Sequence, residues 1–316
     1  MKKQIILIVV SCVVLIGLIY YNLNQPFGTP IRLTFELIDD LGQPVPDANI
    51  RGYLNDPRKH NDAGKHYNVI TELDGTCKIR GMGYSFTECT IEKEGYYSSR
   101  YHLKLKENDK FVSKLTMVLK KIRNPIAMKA RKIEITLPKL GEYFPYDLDV
   151  ADLVEPYGTG KKAHIYIYYY GENKDFFTGK SIFRLKVLNQ NSGLKLFLFD
   201  GFSQFRTEYL ALANNYTNLL EFVSESTKEK QVVDTKIKKN EYIVFKCQSS
   251  TNSAMYNYGK ILPDLFYWIE QGQPKVKFTY YYNPTPDDRN LEFAPQKNLI
   301  RTVNRRGRDN SDRFDP

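Results

Sequence analysis

Ile31-Arg32-Leu33-Thr34-Phe35-Glu36-Leu37-Ile38 alternates apolar and polar side chains and so puts Ile31, Leu33, Phe35 and Leu37 on one face. A period of two is that of a strand with one face in a core and the other in water. Turn chemistry follows at once: Asp39-Asp40-Leu41-Gly42-Gln43-Pro44-Val45-Pro46-Asp47 clusters the Asp, Gly and Pro residues of a chain reversal. Extended structure resumes over Ala48 to Tyr53. Asp74-Gly75 marks a second turn before a strand at Thr76 to Arg80, Thr87 to Lys93 leads into Glu94-Gly95-Tyr96-Tyr97, and Phe111 to Leu119 is the last strand. Short strands separated by turn signals predict an all-β module over residues 31–122.

The order strand, DDLGQPVPDANI, TELDGTCKIRG and IEKEGYY resembles the carboxypeptidase regulatory-like domain, a small prealbumin-like β-sandwich related to bacterial immunoglobulin-like and starch-binding-like modules. The resemblance covers residues 31–122 and implies a spacer or binding domain in an extracellular setting, without catalytic residues of its own. The departure from the pattern is the long Asn55 to Tyr67 loop, with Arg58, Lys59, His60, Lys65 and His66, whose composition suits a solvated loop.

A second β-rich domain is expected over 133–298. Ile133 to Leu137, His164 to Tyr170, Ser181 to Leu188, Leu194 to Phe199, Glu241 to Cys247 and Val276 to Tyr282 are rich in Ile, Val, Phe and Tyr and bounded by turn formers. Ser203 to Ala213 fits neither the helical nor the strand period and stays open. Tyr166, Tyr168 and Tyr170 share one face of their strand, with Ile165, Ile167 and Tyr169 on the other. If the isoleucine face is core, the three tyrosines form a row able to stack on sugar rings or on another protein; the alternative is that both faces are covered. Tyr146 to Lys161 and Tyr282 to Phe293 are similar to stretches in uncharacterised bacterial membrane-associated proteins that also begin with a regulatory-like domain.

At the N-terminus, Lys2 and Lys3 precede a 17-residue stretch without charge, Ile5 to Tyr21. As a helix it would reach about 26 Å, close to the thickness of a hydrocarbon core. The flanking lysines predict a signal-anchor within residues 1–22, with everything after residue 22 outside the cytoplasm. Val9-Val10-Ser11-Cys12 is similar to a lipoprotein box, so lipidation at Cys12 is the minor alternative.

The chain of 316 residues carries 46 Lys and Arg against 36 Asp and Glu, a net charge of +10. Lys120, Lys121, Arg123, Lys129, Arg131 and Lys132 form a run without an acid, read as a basic linker at 123–132 able to adhere to anionic surfaces. Five arginines fall in a polar, disordered tail at 299–316. With the excess placed outside the folded modules, nucleic-acid binding is disfavoured.

Cys77 shares its strand's inward phase with Ile79, and Cys89 with Ile91, so the pair either forms a disulfide or packs as two reduced core thiols. Gly158-Thr159-Gly160-Lys161-Lys162 lacks the first glycine and the hydroxyl residue of a phosphate loop, and Asp147, Asp149, Asp152 and Glu155 lack the spacing of an EF-hand. No catalytic signature, metal set or cofactor motif is found. The sequence therefore predicts a mainly β protein, an N-terminal transmembrane helix followed by two β-sandwich modules. It reads as an anchored binding or scaffold protein of the cell envelope, partnered by protein or polysaccharide and not an enzyme. The rivals are carbohydrate binding through exposed aromatic residues and an envelope hydrolase using carboxylates of the second domain.

Overall fold

The computed structural model describes residues 29–54, 65–83, 86–104, 113–175, 178–199, 203–226, 231–234 and 237–300. The expected membrane segment 5–21, Cys12 and the tail beyond residue 300 lie outside the described residues. Among the described residues no helix is long and apolar enough to cross a membrane. The chain is mainly β and divides into two units: 1–122 with 201–204, and 123–200 with 205–316.

Among the described residues unit 1 holds seven strands: β1 (Thr29–Asp39), β2 (Asn49–Leu54), β3 (Lys65–Ile70), β4 (Thr76–Gly83), β5 (Phe86–Glu92), β6 (Ser99–Lys104) and β7 (Ser113–Leu119). They form two sheets, β4-β1-β7 and β3-β2-β5-β6. One core joins the sheets: Leu33, Phe35 and Leu37 of β1 meet Ile50, Cys89 and Ile91 of the other sheet. This is a β-sandwich. The turn after β1 closes because Asp39 Oδ1 accepts the amides of Leu41 at 2.9 Å and Gln43 at 2.8 Å. Gly75 sits at φ +75°, where a Cβ would stand 2.4 Å from the Leu37 carbonyl, so the second turn tolerates glycine alone.

Unit 2 holds β8 (Lys129–Thr136), β9 (Tyr143–Asp147), β10 (Asp152–Leu153), β11 (Ile165–Asp175), β12 (Thr178–Lys186), β13 (Gly193–Leu198), β14 (Leu219–Ser226), β15 (Gln231–Asp234), β16 (Glu241–Gln248), β17 (Tyr256–Ile261), β18 (Phe266–Glu270) and β19 (Gln273–Asn283). One sheet runs β10-β9-β11-β12-β14-β15; the other runs β13-β16-β17-β19-β18, with β8 also paired to β19. Their facing sides share a core that includes Ile165, Ile167, Phe183, Phe245 and Phe278. The second sheet is covered on its far side too. Tyr242, Val244, Tyr258 and Tyr281 are packed beneath Ala211, Leu291 and Phe293 of irregular segments. That double cover explains why three consecutive residues, Tyr280, Tyr281 and Tyr282, are all buried.

One open stretch is settled here and one sequence expectation changes. Ser203 to Ala213 is neither helix nor strand: apart from single bridges at Ser203 and Leu210 it is irregular, and Phe205 and Ala211 are buried. The stretch 123–132, expected as a basic linker, is built into unit 2. The amides of Arg123 and Asn124 donate to Glu292 at 2.8 and 2.7 Å, and residues 129–136 pair with β19. Its charges are engaged as well. Lys129 binds Asp149 Oδ1 at 2.5 Å, Lys132 lies 3.6 Å from Asp264, and the Arg123 guanidinium sits 4.0 Å above the Tyr209 ring. A count of charges along the chain ignores partners supplied by distant segments, which is why the run reads as a linker.

Candidate ligand-binding faces

The Ile165, Ile167 and Tyr169 side of β11 is buried, so Tyr166, Tyr168 and Tyr170 lie on the outer face, each half-buried. The three rings do not form a bare platform. Tyr143, opposite Tyr168 on β9, tilts against it with centroids 5.0 Å apart and planes at 41°. Arg184, opposite Tyr168 on β12, caps the ring at 4.8 Å and is itself paired with Glu221 of β14. Lys186 stands 5.5 Å from the Tyr143 ring, and Tyr170 donates its hydroxyl to Glu172 at 2.5 Å. The tyrosine face is thus a cross-strand ladder of rings, cations and acids that ties four strands together.

Cys77 and Cys89 are free, buried thiols on facing sheets. Burial pushes Cys77 up to about 11, with Glu72 adding to the rise. Burial likewise pushes Cys89 up to about 12, against the opposing hydrogen bond from Tyr67. Neither is a thiolate nucleophile near neutral pH.

A different surface has the shape of a site. On the outer face of β3-β2-β5-β6 a groove of roughly 700 Å³ is lined by Arg51, Tyr53, His66, Glu88, Thr90 and Arg100, among others. Register explains the assembly. Arg51 of β2 is opposite Thr90 of β5, which is opposite Arg100 of β6; Tyr53 is opposite both His66 and Glu88. Glu88, Thr90 and Glu92 follow one another along β5 on this face, while Cys89 and Ile91 point into the core. Each arginine takes a different acid: Arg51 binds Glu92, and Arg100 Nε lies 3.1 Å from Glu88 Oε1. The pairs diverge from Thr90 in opposite directions. The Tyr53 ring lies 6.2 Å from the His66 ring and gives one apolar side.

Chemically, the groove offers two guanidiniums whose remaining N–H groups donate, two carboxylates that accept, and an aromatic face. Its four formal charges cancel. Exposed ion pairs of this kind add only about 0–1 kcal/mol of stability. The sequence reading touched this surface only through His66. Polar residues at i, i+2 and i+4 on β5 were visible, but not their juxtaposition with Arg51 and Arg100 on neighbouring strands.

Three of the four carboxylates weighed for calcium, Asp147, Asp149 and Asp152, serve the backbone or neighbouring side chains. Asp147 Oδ2 accepts the amides of Lys161 and Lys162 at 3.1 Å each, Asp152 Oδ2 accepts the Thr159 amide at 2.8 Å, and Asp149 holds Lys129. Among the described residues no group of three or more His, Cys, Asp or Glu could hold a metal ion.

No protein-family model matches the chain, and no curated protein matches it. Among solved structures it is similar to 3-chlorocatechol 1,2-dioxygenase from Rhodococcus opacus 1CP, at 15% identity over 30% of this chain and 60% of that one, with a TM-score of 0.27. The chain therefore spans less than two thirds of that dioxygenase. It is also similar to a DUF3823 family protein from Parabacteroides merdae, at 8% identity over 84% of this chain and 100% of that one, with a TM-score of 0.24. A third likeness is to a candidate carbohydrate-binding protein from Bacteroides uniformis, at 10% identity over 82% of this chain and 98% of that one, with a TM-score of 0.21.

Proposed function

We propose that the protein is a carbohydrate-binding component of the cell envelope, anchored through residues 5–21 with both units outside the cytoplasm, and that the groove of unit 1 receives the sugar. The observation that supports this reading is the pairing of Arg51 with Glu92 and Arg100 with Glu88 around Thr90, beside the Tyr53 ring. A guanidinium already held by a carboxylate is fixed in direction and neutral as a pair. It offers a donor and an acceptor side by side, the need of a polyhydroxylated ligand, and has little excess charge for an anion. In this reading the tyrosine face of unit 2 braces its sheet, and the protein binds without turning the ligand over.

Affinity electrophoresis of the full chain in gels containing neutral soluble polysaccharides tests the groove. The parent should be retarded, and a variant carrying Arg51→Ala and Arg100→Ala should bind about tenfold or more weakly, the loss expected for charged hydrogen bonds of about 1.5–3 kcal/mol. Equal retardation of parent and variant would remove the groove from the reading. Fractionation of cells expressing the full chain tests the anchor: recovery of the protein in the soluble fraction with residues 1–21 removed would replace it with a cleaved signal peptide.

A further inference from the structure

The outer side of the second sheet of unit 2 is covered at one end and left open at the other. Where β16, β17 and β19 run side by side, Tyr242, Tyr258 and Tyr281 lie beneath Leu291 and Phe293. The cover stops short of β18. Here Tyr267 and Ile269 point inward: the Tyr267 ring is parallel to Phe183, with centroids 4.9 Å apart and planes at 1°, and lies 5.2 Å from Tyr169. Strand alternation therefore sends Phe266 and Trp268 outward, about 7 Å apart. Phe266 keeps 58% of its surface exposed, and Trp268, the single tryptophan of the chain, is half-buried.

Their neighbours are polar and paired. Lys277 is opposite Phe266 and Lys275 opposite Trp268; on the far side of β19, Glu134 and Thr136 face the same two lysines. Glu134 lies 3.5 Å from Lys277 and 3.8 Å from Lys275, and Glu270 also binds Lys275. Two cations and two anions cancel.

We infer that Phe266 and Trp268 form a second carbohydrate-binding site, on which the apolar face of a neutral polysaccharide stacks while Lys275, Lys277, Glu134 and Glu270 meet its hydroxyls. An exposed Phe266 beside a half-buried Trp268, on a strand paired along one edge, is an apolar surface that invites association unless something uses it. An indole presents a broad, flat apolar face, and a sugar ring likewise has an apolar face and a rim of hydroxyls. The cancelled charge selects neither a polyanion nor a polycation. The site shares the ligand class of the proposed function but stands on different residues in a different unit, so each can fail alone.

Because Trp268 is the only tryptophan, its emission reports on this surface directly. Titrate the full chain with dextran, laminarin, mannan and soluble starch, with polygalacturonate as the acidic comparison, and follow emission excited at the red edge of tyrosine absorption. At least one neutral polymer should give a saturable shift to shorter wavelength. Phe266→Ala should raise its half-saturation about tenfold with unfolding temperature nearly unchanged, and the variant with Arg51→Ala and Arg100→Ala should keep the response. Should all four neutral polymers leave the emission unmoved, or polygalacturonate be preferred, the inference is wrong. A shift that follows protein concentration without sugar, and that Phe266→Ala abolishes, would assign the surface to self-association instead.

Discussion

Tyr267 lies flat against Phe183, ring planes 1° apart, and so pins β18 of one sheet onto β12 of the other. The contact fixes which way every residue of β18 faces. Truncating Tyr267→Ala removes the stacked ring and its contact with Tyr169, and should destabilise unit 2 by about 2–3 kcal/mol, less than a fully buried aromatic because Tyr267 is half-buried. Tyr267→Phe keeps both ring contacts and should cost under about 1 kcal/mol. Urea unfolding of the two variants checks the order; equal losses would mean that stacking is not what holds β18.

Gly52 couples the core of unit 1 to the groove above it. A Cβ at this position would lie 2.3 Å from the Glu88 carbonyl and 2.5 Å from the Tyr67 hydroxyl. The carbonyl belongs to the residue that holds Arg100, so relief must come from moving β5 or displacing Tyr67. Gly52→Ala should therefore cost about 1–3 kcal/mol and weaken sugar retention together. A variant as stable as the parent would show that β2 and β5 part easily.

How much of this could be read along the chain depends on whether a feature is local. The alternation at 31–38 placed Leu33, Phe35 and Leu37 inward, and all three are core residues. The opposed faces of Ile165, Ile167 and Tyr169 against Tyr166, Tyr168 and Tyr170 were equally plain, because period two needs no partner strand. What occupies the tyrosine face was not: Tyr143 and Arg184 arrive there through the order β9-β11-β12. Tyr280 to Tyr282 defeat the period, since that end of β19 is covered on both sides and leaves no outer residue there. The groove depends on register between residues some forty positions apart, and the lysines of 123–132 on acids that fold back to meet them.

Cys77, Cys89 and Cys247 should resist alkylation in the folded protein. All three are buried, and burial raises each thiol, Cys77 to about 11 and Cys89 to about 12. At pH 8 a thiol at about 11 is ionised in roughly one molecule in a thousand, before access is considered. Mass spectrometry after brief iodoacetamide treatment should find all three unmodified, then labelled once the chain is unfolded in denaturant. Rapid labelling of Cys77 or Cys89 in the native state would contradict the inward phase. A linked Cys77–Cys89 peptide would instead show that the facing thiols oxidise in their compartment.

Asp147 should set part of the acid sensitivity of unit 2. Its Oδ1 accepts the Asp149 amide at 2.9 Å and lies 3.1 Å from His164 Nδ1, while Oδ2 takes the amides of Lys161 and Lys162. Burial alone would raise this carboxyl, but the His164 hydrogen bond and the backbone amides outweigh it and hold it well below its ordinary value of 3.8. The folded state thus keeps Asp147 ionised to lower pH than the unfolded chain does. The stability this contributes is complete above about pH 4 and drains away as the pH falls through the unfolded value toward the folded one. Asp147→Asn cannot satisfy the same amides with both side-chain atoms and should be less stable than the parent at pH 7. Urea unfolding at pH 7, 5, 4 and 3 should show that deficit constant down to about pH 5 and narrowing below pH 4, as the parent loses what the variant never had. A gap of the same size at pH 3 and pH 7 would mean that Asp147 titrates alike in both states and that the amides around it do not depend on its charge.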